Sequence, residues 1–121
     1  MDSFEAYRRN ENAGKDELSL EIQALVRSSS SLRQIKENWD NSKDDLPQVL
    51  EKNRRLWTYL ASAVRDESCQ QTISVRQNIL NLANFIFKRT YEVLAHPAPE
   101  KLEVLININM QIANGLSGKA E

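Results

Sequence analysis

What this chain has little of narrows it first. Its 121 residues include one cysteine, one histidine, three glycines and three prolines. Cys69 alone cannot close an internal disulfide, and together with His96 it cannot assemble a zinc site, so a reducing compartment is expected, with no metal or cofactor. So few glycines and prolines cannot supply the turns of an all-β chain. There is no run of about eighteen apolar residues, and Met1-Asp2-Ser3-Phe4-Glu5 has no basic segment leading into an apolar one. Neither a membrane span nor a signal peptide is expected, and so no membrane insertion. The net charge of −1 supplies no general field to attract nucleic acid or an acidic lipid surface. No glycine-rich phosphate loop, metal-binding Cys/His spacing or nucleophile with a histidine partner is found, so no enzyme is expected. His96 lies between Ala95 and Pro97 at a helix end, not mid-helix as a phosphotransfer histidine would. Cys69, in a polar loop without a run of cations, reads as an incidental thiol.

What is present is a globular composition, 40% hydrophobic and 27% charged, in a chain long enough for one core and too short for two. Met1 to Lys15 is polar and reads as an arm or short helix that turns at Asn12-Ala13-Gly14-Lys15, with Phe4 and Tyr7 free to dock. From Asp16, Leu18, Ile22, Leu25, Val26, Ser29, Leu32, Ile35 and Trp39 recur at helical steps, predicting one long helix to about Asn38 whose weak stretch, open to a bend, is Ser28 to Ser31. A second helix opens around Pro47 and ends near Arg65, with Leu46, Val49, Leu50, Asn53, Leu56, Trp57, Leu60, Ala61 and Val64 on its apolar face. Ser74-Val75-Arg76-Gln77 has a capping-box pattern and opens a third helix. Its stripe of Val75, Ile79, Leu82, Ala83, Ile86, Val93 and Leu94 is widened by Leu80, Phe85, Phe87 and Tyr91, so this helix is expected to be the most buried. His96-Pro97-Ala98-Pro99 ends it, and Pro99 can open a fourth that buries Leu102, Leu105, Ile106, Ile112, Ala113 and Leu116. Asn114-Gly115 is expected to stop the fourth helix, with the glycine left-handed. The predicted fold is therefore an all-α, single-domain bundle of about four helices: an arm over 1–15, the helical domain over 16–117 and a tail over 118–121.

Two asparagines interrupt apolar stripes. Asn53 sits at the helical step between Leu50 and Trp57, and Asn109 lies among Leu105, Ile106, Ile108 and Ile112. An amide drawn into a core needs hydrogen-bond partners, and the reading favoured here is that Asn53 and Asn109 hold register at a helix crossing. Trp57 shares the stripe of Asn53 and is expected as a core anchor. Lys52, Arg54 and Arg55 beside Trp57 and Tyr59 supply the cations and rings that single-stranded RNA binding uses, but a core Trp57 cannot stack on a base.

Several segments together resemble the FlaF family of alphaproteobacterial flagellar biosynthesis regulators. They are Asn53-Arg54-Arg55-Leu56-Trp57 with Leu60; Arg76 with Leu80, Leu82, Ala83 and Phe85 to Arg89; and Leu105-Ile106-Asn107-Ile108-Asn109 with Ile112 and Gly115-Leu116. Gln70-Gln71-Thr72-Ile73-Ser74 departs from the Asn-x-Leu-Pro type segment common in that family, and Ser28 to Asp45 matches little of it. The resemblance implies a cytoplasmic protein required for flagellin production, acting as a flagellin-binding secretion chaperone alongside an FlbT-type regulator and, through its client, the export apparatus. Helix-in-groove packing is the natural way to cover an amphipathic flagellin helix. The surplus apolar surface of the third helix, Phe85, Phe87 and Tyr91 with Arg89, is the candidate partner-binding site. The alternatives are an RNA-binding regulator of flagellin message, resting on Arg54, Arg55, Lys88 and Arg89, and a structural adaptor for FlbT.

Overall fold

A computed structural model describes residues 3–118, with side chains from residue 16 onward. Its elements are α1 (Ser3–Glu37), the short α2 (Trp39–Ser42), a 3-10 turn at Lys43–Asp45, α3 (Leu46–Arg65), α4 (Ile73–Ala95), a second 3-10 turn at Pro99–Leu102, and α5 (Glu103–Leu116). There is no strand among the described residues. The chain is thus all-α, a bundle of four long helices. Helix α1 extends to the N-terminal side of Asp16, through the segment expected as an arm and turn. The docking expected of Phe4 and Tyr7 falls outside the described side chains.

The long helices alternate in direction. Ser28 of α1 meets Asn53 of α3, while Glu17 meets Tyr59, so α1 and α3 are antiparallel. By the same reasoning Lys36 meets Glu103 and Ser29 meets Ile106, which sets α5 antiparallel to α1. Lys36 is in the last turn of α1 and Glu103 in the first turn of α5, so each charge also suits the helix dipole it sits on. The interior is one cluster, with Leu25, Leu32, Leu50, Trp57, Ile86, Val93, Leu102 and Leu105 fully enclosed.

Several local expectations change. Helix α1 runs unbroken through the serine run, where Ser28 and Ser29 hydrogen-bond across to α3 and α5. The cap of α4 is Thr72, not Ser74. Its hydroxyl accepts from the Val75 amide at 3.2 Å, so the helix starts at Ile73 and the capping box is not formed. Pro99 opens a 3-10 turn before α5 begins at Glu103. Gly115 does not stop α5; the helix reaches Leu116, and the left-handed glycine is Gly118, with φ of 76°. Ile112 and Leu116 are half-buried, while Ile108 and Asn109 lie inside.

The third long helix is not the most buried. Five of the 23 residues of α4 are buried, against five of 14 in α5 and seven of 20 in α3. The reason is placement: α4 packs mainly on α3, whereas α5 lies along α1. Arg76 ties the start of α4 to the end of α3, its Nε donating to the Val64 carbonyl at 2.7 Å and its Nη2 to the Asp66 carbonyl at 3.1 Å. A cation there satisfies carbonyls that the helix end leaves open.

Candidate interaction site

Two regions carry the residues singled out by the sequence. The first is the crossing of α1, α3 and α5. Trp57 is 0% exposed, and its indole N–H donates to Asn109 Oδ1 at 2.7 Å. Asn109 Nδ2 then donates to Asn53 Oδ1 at 2.8 Å, and the Ser28 hydroxyl donates to the same oxygen at 2.7 Å. The direction of this chain is forced. An indole can only donate, so it must face the oxygen of Asn109, whose NH2 must then face the oxygen of Asn53. The free end is Asn53 Nδ2, which is buried and has no acceptor among the described residues. Ser29 donates to the Ile106 carbonyl at 3.2 Å beside this network. The arrangement does no chemistry; its polar groups match at one helix register only, and a slide of one turn would orphan them.

The second region is the outer side of α4. A residue advances roughly 100° around a helix, so Phe85 and Phe87 stand on opposite flanks of the face that α4 buries. Phe85 is 37% exposed, with the Arg89 guanidinium 5.6 Å from its ring centroid and Arg89 in turn 3.5 Å from Glu92. Phe87 packs half-buried against the core. Tyr91, one turn further on and 79% exposed, is near enough to Arg54 to be felt electrostatically. The structure thus brings Phe87 and Tyr91 together on one flank and Phe85 with Arg89 on the other. Two exposed residues not assigned to the site from sequence, Ile73 at 78% and Leu94 at 47%, extend the Phe87 and Tyr91 flank toward both helix ends. Their signal was available: both stand a multiple of seven residues from Phe87.

A family model described as flagellar protein FlaF matches residues 3–116. The chain belongs to the FlaF family. It is therefore a flagellar protein, and the match spans both the amide crossing and α4. No curated protein and no solved structure matches the chain. In this FlaF-family chain two of the arginines of the RNA reading are engaged within α3. Arg54 makes a two-pronged pair with Glu51, at 2.8 and 2.6 Å, and Arg55 donates to the same carboxylate at 3.2 Å. The hydrogen bond from Arg54, reinforced by both positive charges, holds Glu51 down at a pKa of about 2. No helix among the described residues is long and apolar enough to cross a membrane.

Proposed function

We propose that this FlaF-family protein binds flagellin in the cytoplasm and holds it ready for export, and that an FlbT-type regulator acts with it. The observation carrying this reading is the outer side of α4, where Ile73, Tyr91 and Leu94 are exposed on a helix that lies outside the α1, α3 and α5 crossing. A solvated aromatic and aliphatic flank of this kind suits an amphipathic helix laid along it. The family supports the choice of client only in that it is a flagellar one. The RNA reading is weaker because Trp57 is enclosed and Arg54 and Arg55 are paired with Glu51, which removes the ring and two of the cations it rested on.

Mixing the purified chain with monomeric flagellin tests the proposal. Co-elution is expected, and the paired substitution Phe87→Ala with Tyr91→Ala should weaken it at least tenfold while leaving the helical fold intact. Binding of FlbT without any flagellin complex would replace the chaperone reading by that of an adaptor.

A further inference from the structure

The row of α4 that carries the proposed client site, together with Leu80 and Phe87 at the edge of the core, also has a regular spacing. Ile73, Leu80, Phe87 and Leu94 recur every seven residues, and Gln77, Asn84 and Tyr91 fall between them, four residues after one apolar member and three before the next. That is the alternating spacing of a coiled-coil seam, sustained for about 33 Å along the helix. None of the seven side chains is buried: Leu80 and Phe87 are half-buried and the other five are exposed. The outer flank of the seam, Ser74, Asn81, Lys88 and Ala95, holds a single charge. In a chain that is 27% charged, such a strip has the composition of an interface centre and not of a solvated helix face.

The seam is also nearly symmetric about Asn84. Leu80 and Phe87 lie four residues before it and three after; Gln77 and Tyr91 lie seven before and after; Ile73 and Leu94 lie eleven before and ten after. Reversing the helix therefore sets apolar against apolar at both ends, amide against phenol between, and Asn84 against itself. A surface that complements its own reversed copy is what a two-fold axis requires. We propose that α4 pairs antiparallel with α4 of a second copy of this chain, with Asn84 on the two-fold axis. The paired asparagine amides hydrogen-bond across the axis and select this register over slipped ones. A single helix pair covers little area, at the low end of specific interfaces, so the dimer exchanges readily. It also covers the flank assigned above to flagellin. The dimer stands independently of that assignment, whereas competition between dimer and client rests on it.

The test begins with sedimentation of the full chain alone over a range of concentrations. A monomer–dimer equilibrium is expected, weakened at least tenfold by Tyr91→Glu because each substitution counts twice across the axis. A chain that stays monomeric at its highest soluble concentration overturns the proposal. In a Cys69→Ser background, Asn84→Cys should form a covalent dimer under mild oxidation, since only residues at the axis bring their own copies within about 7 Å. Ile73→Cys alone should not, while Ile73→Cys combined with Leu94→Cys should. Cross-linking of Ile73→Cys alone would mean parallel pairing and refute the two-fold arrangement. Flagellin added to the dimer then separates the two readings: dissociation into a mixed complex supports both, and an unchanged dimer rejects the client site and leaves the dimer standing.

Discussion

At the crossing of α1, α3 and α5, two asparagines, a tryptophan and a serine are closed into a network with one workable register. On the outer side of α4, an asparagine, a glutamine and a tyrosine are also spaced among branched and aromatic residues, but stand in solvent. Residue type does not distinguish these regions; neighbours do. The crossing joins three helices, so each amide is satisfied internally or at a cost, whereas α4 packs mainly on α3 and its outer flank is left uncovered by the described residues. The first region therefore sets stability and leaves little to bind, and the second contributes little to stability and is free to bind.

Trp57→Ala tests that division hardest. It empties the largest enclosed side chain and leaves Asn109 Oδ1 without its donor, so a loss of about 3–5 kcal/mol is expected from denaturant unfolding. A loss below about 1 kcal/mol would mean that the crossing can collapse around the hole and is not what holds the bundle. The two asparagines should then differ from one another. Asn109→Ala strands the buried indole N–H, which has no other partner, at about 1–3 kcal/mol beyond the packing loss. Asn53→Ala strands Asn109 Nδ2 and releases the Ser28 hydroxyl, which is only half-buried and can turn to water, but it also removes the unpartnered Asn53 Nδ2, so it should cost less. Equal losses, or a larger loss at Asn53, would show that water or a shifted side chain satisfies that nitrogen and that the network does not end there.

Much of this was legible in the sequence, for physical reasons that also explain the misses. Asn53 and Asn109 stand out because a 3.6-residue period makes any polar member of an apolar stripe visible, and the structure sets them 2.8 Å apart. Which element lies outermost is not written in that period. The breadth of apolar surface on α4 suggested deep burial, yet breadth marks either a helix enclosed on all sides or one with an unpartnered flank, and only tertiary placement separates the two. The role of the serines of α1 was hidden for a related reason: local propensity treats them as weak helix formers, while Ser28 and Ser29 serve contacts 25 and 77 residues away. The capping-box pattern at Ser74 is displaced by Thr72, two residues earlier, whose hydroxyl reaches the Val75 amide.

A smaller effect belongs to the rim of the α1 and α3 contact. The Tyr59 hydroxyl donates to Glu17 Oε1 at 2.6 Å, and this bond, with partial burial, raises the phenol from 10.0 to about 12. The folded state thus keeps a proton that the unfolded chain releases near pH 10. The contribution is complete below that pH and disappears as pH rises from about 10 to about 12. Urea midpoints measured across this window should fall more steeply for the natural chain than for Tyr59→Phe. Parallel curves would mean that the exposed pair is screened into irrelevance, leaving the enclosed network as the tie between α1 and α3.

The smallest stability change is expected at Tyr91, and its smallness is the point. The ring is 79% exposed and makes no hydrogen bond among the described residues, so Tyr91→Ala should shift unfolding by no more than about 0.5 kcal/mol. A residue so nearly neutral to folding is a sensitive reporter of what else the surface does. If the same variant loses flagellin or self-association while its unfolding curve overlays the original, the outer flank of α4 exists for contact and not for support. If instead Tyr91→Ala unfolds as readily as a core variant, the tyrosine braces α3 through Arg54, and the contrast between a supporting crossing and a free outer face fails at its clearest residue.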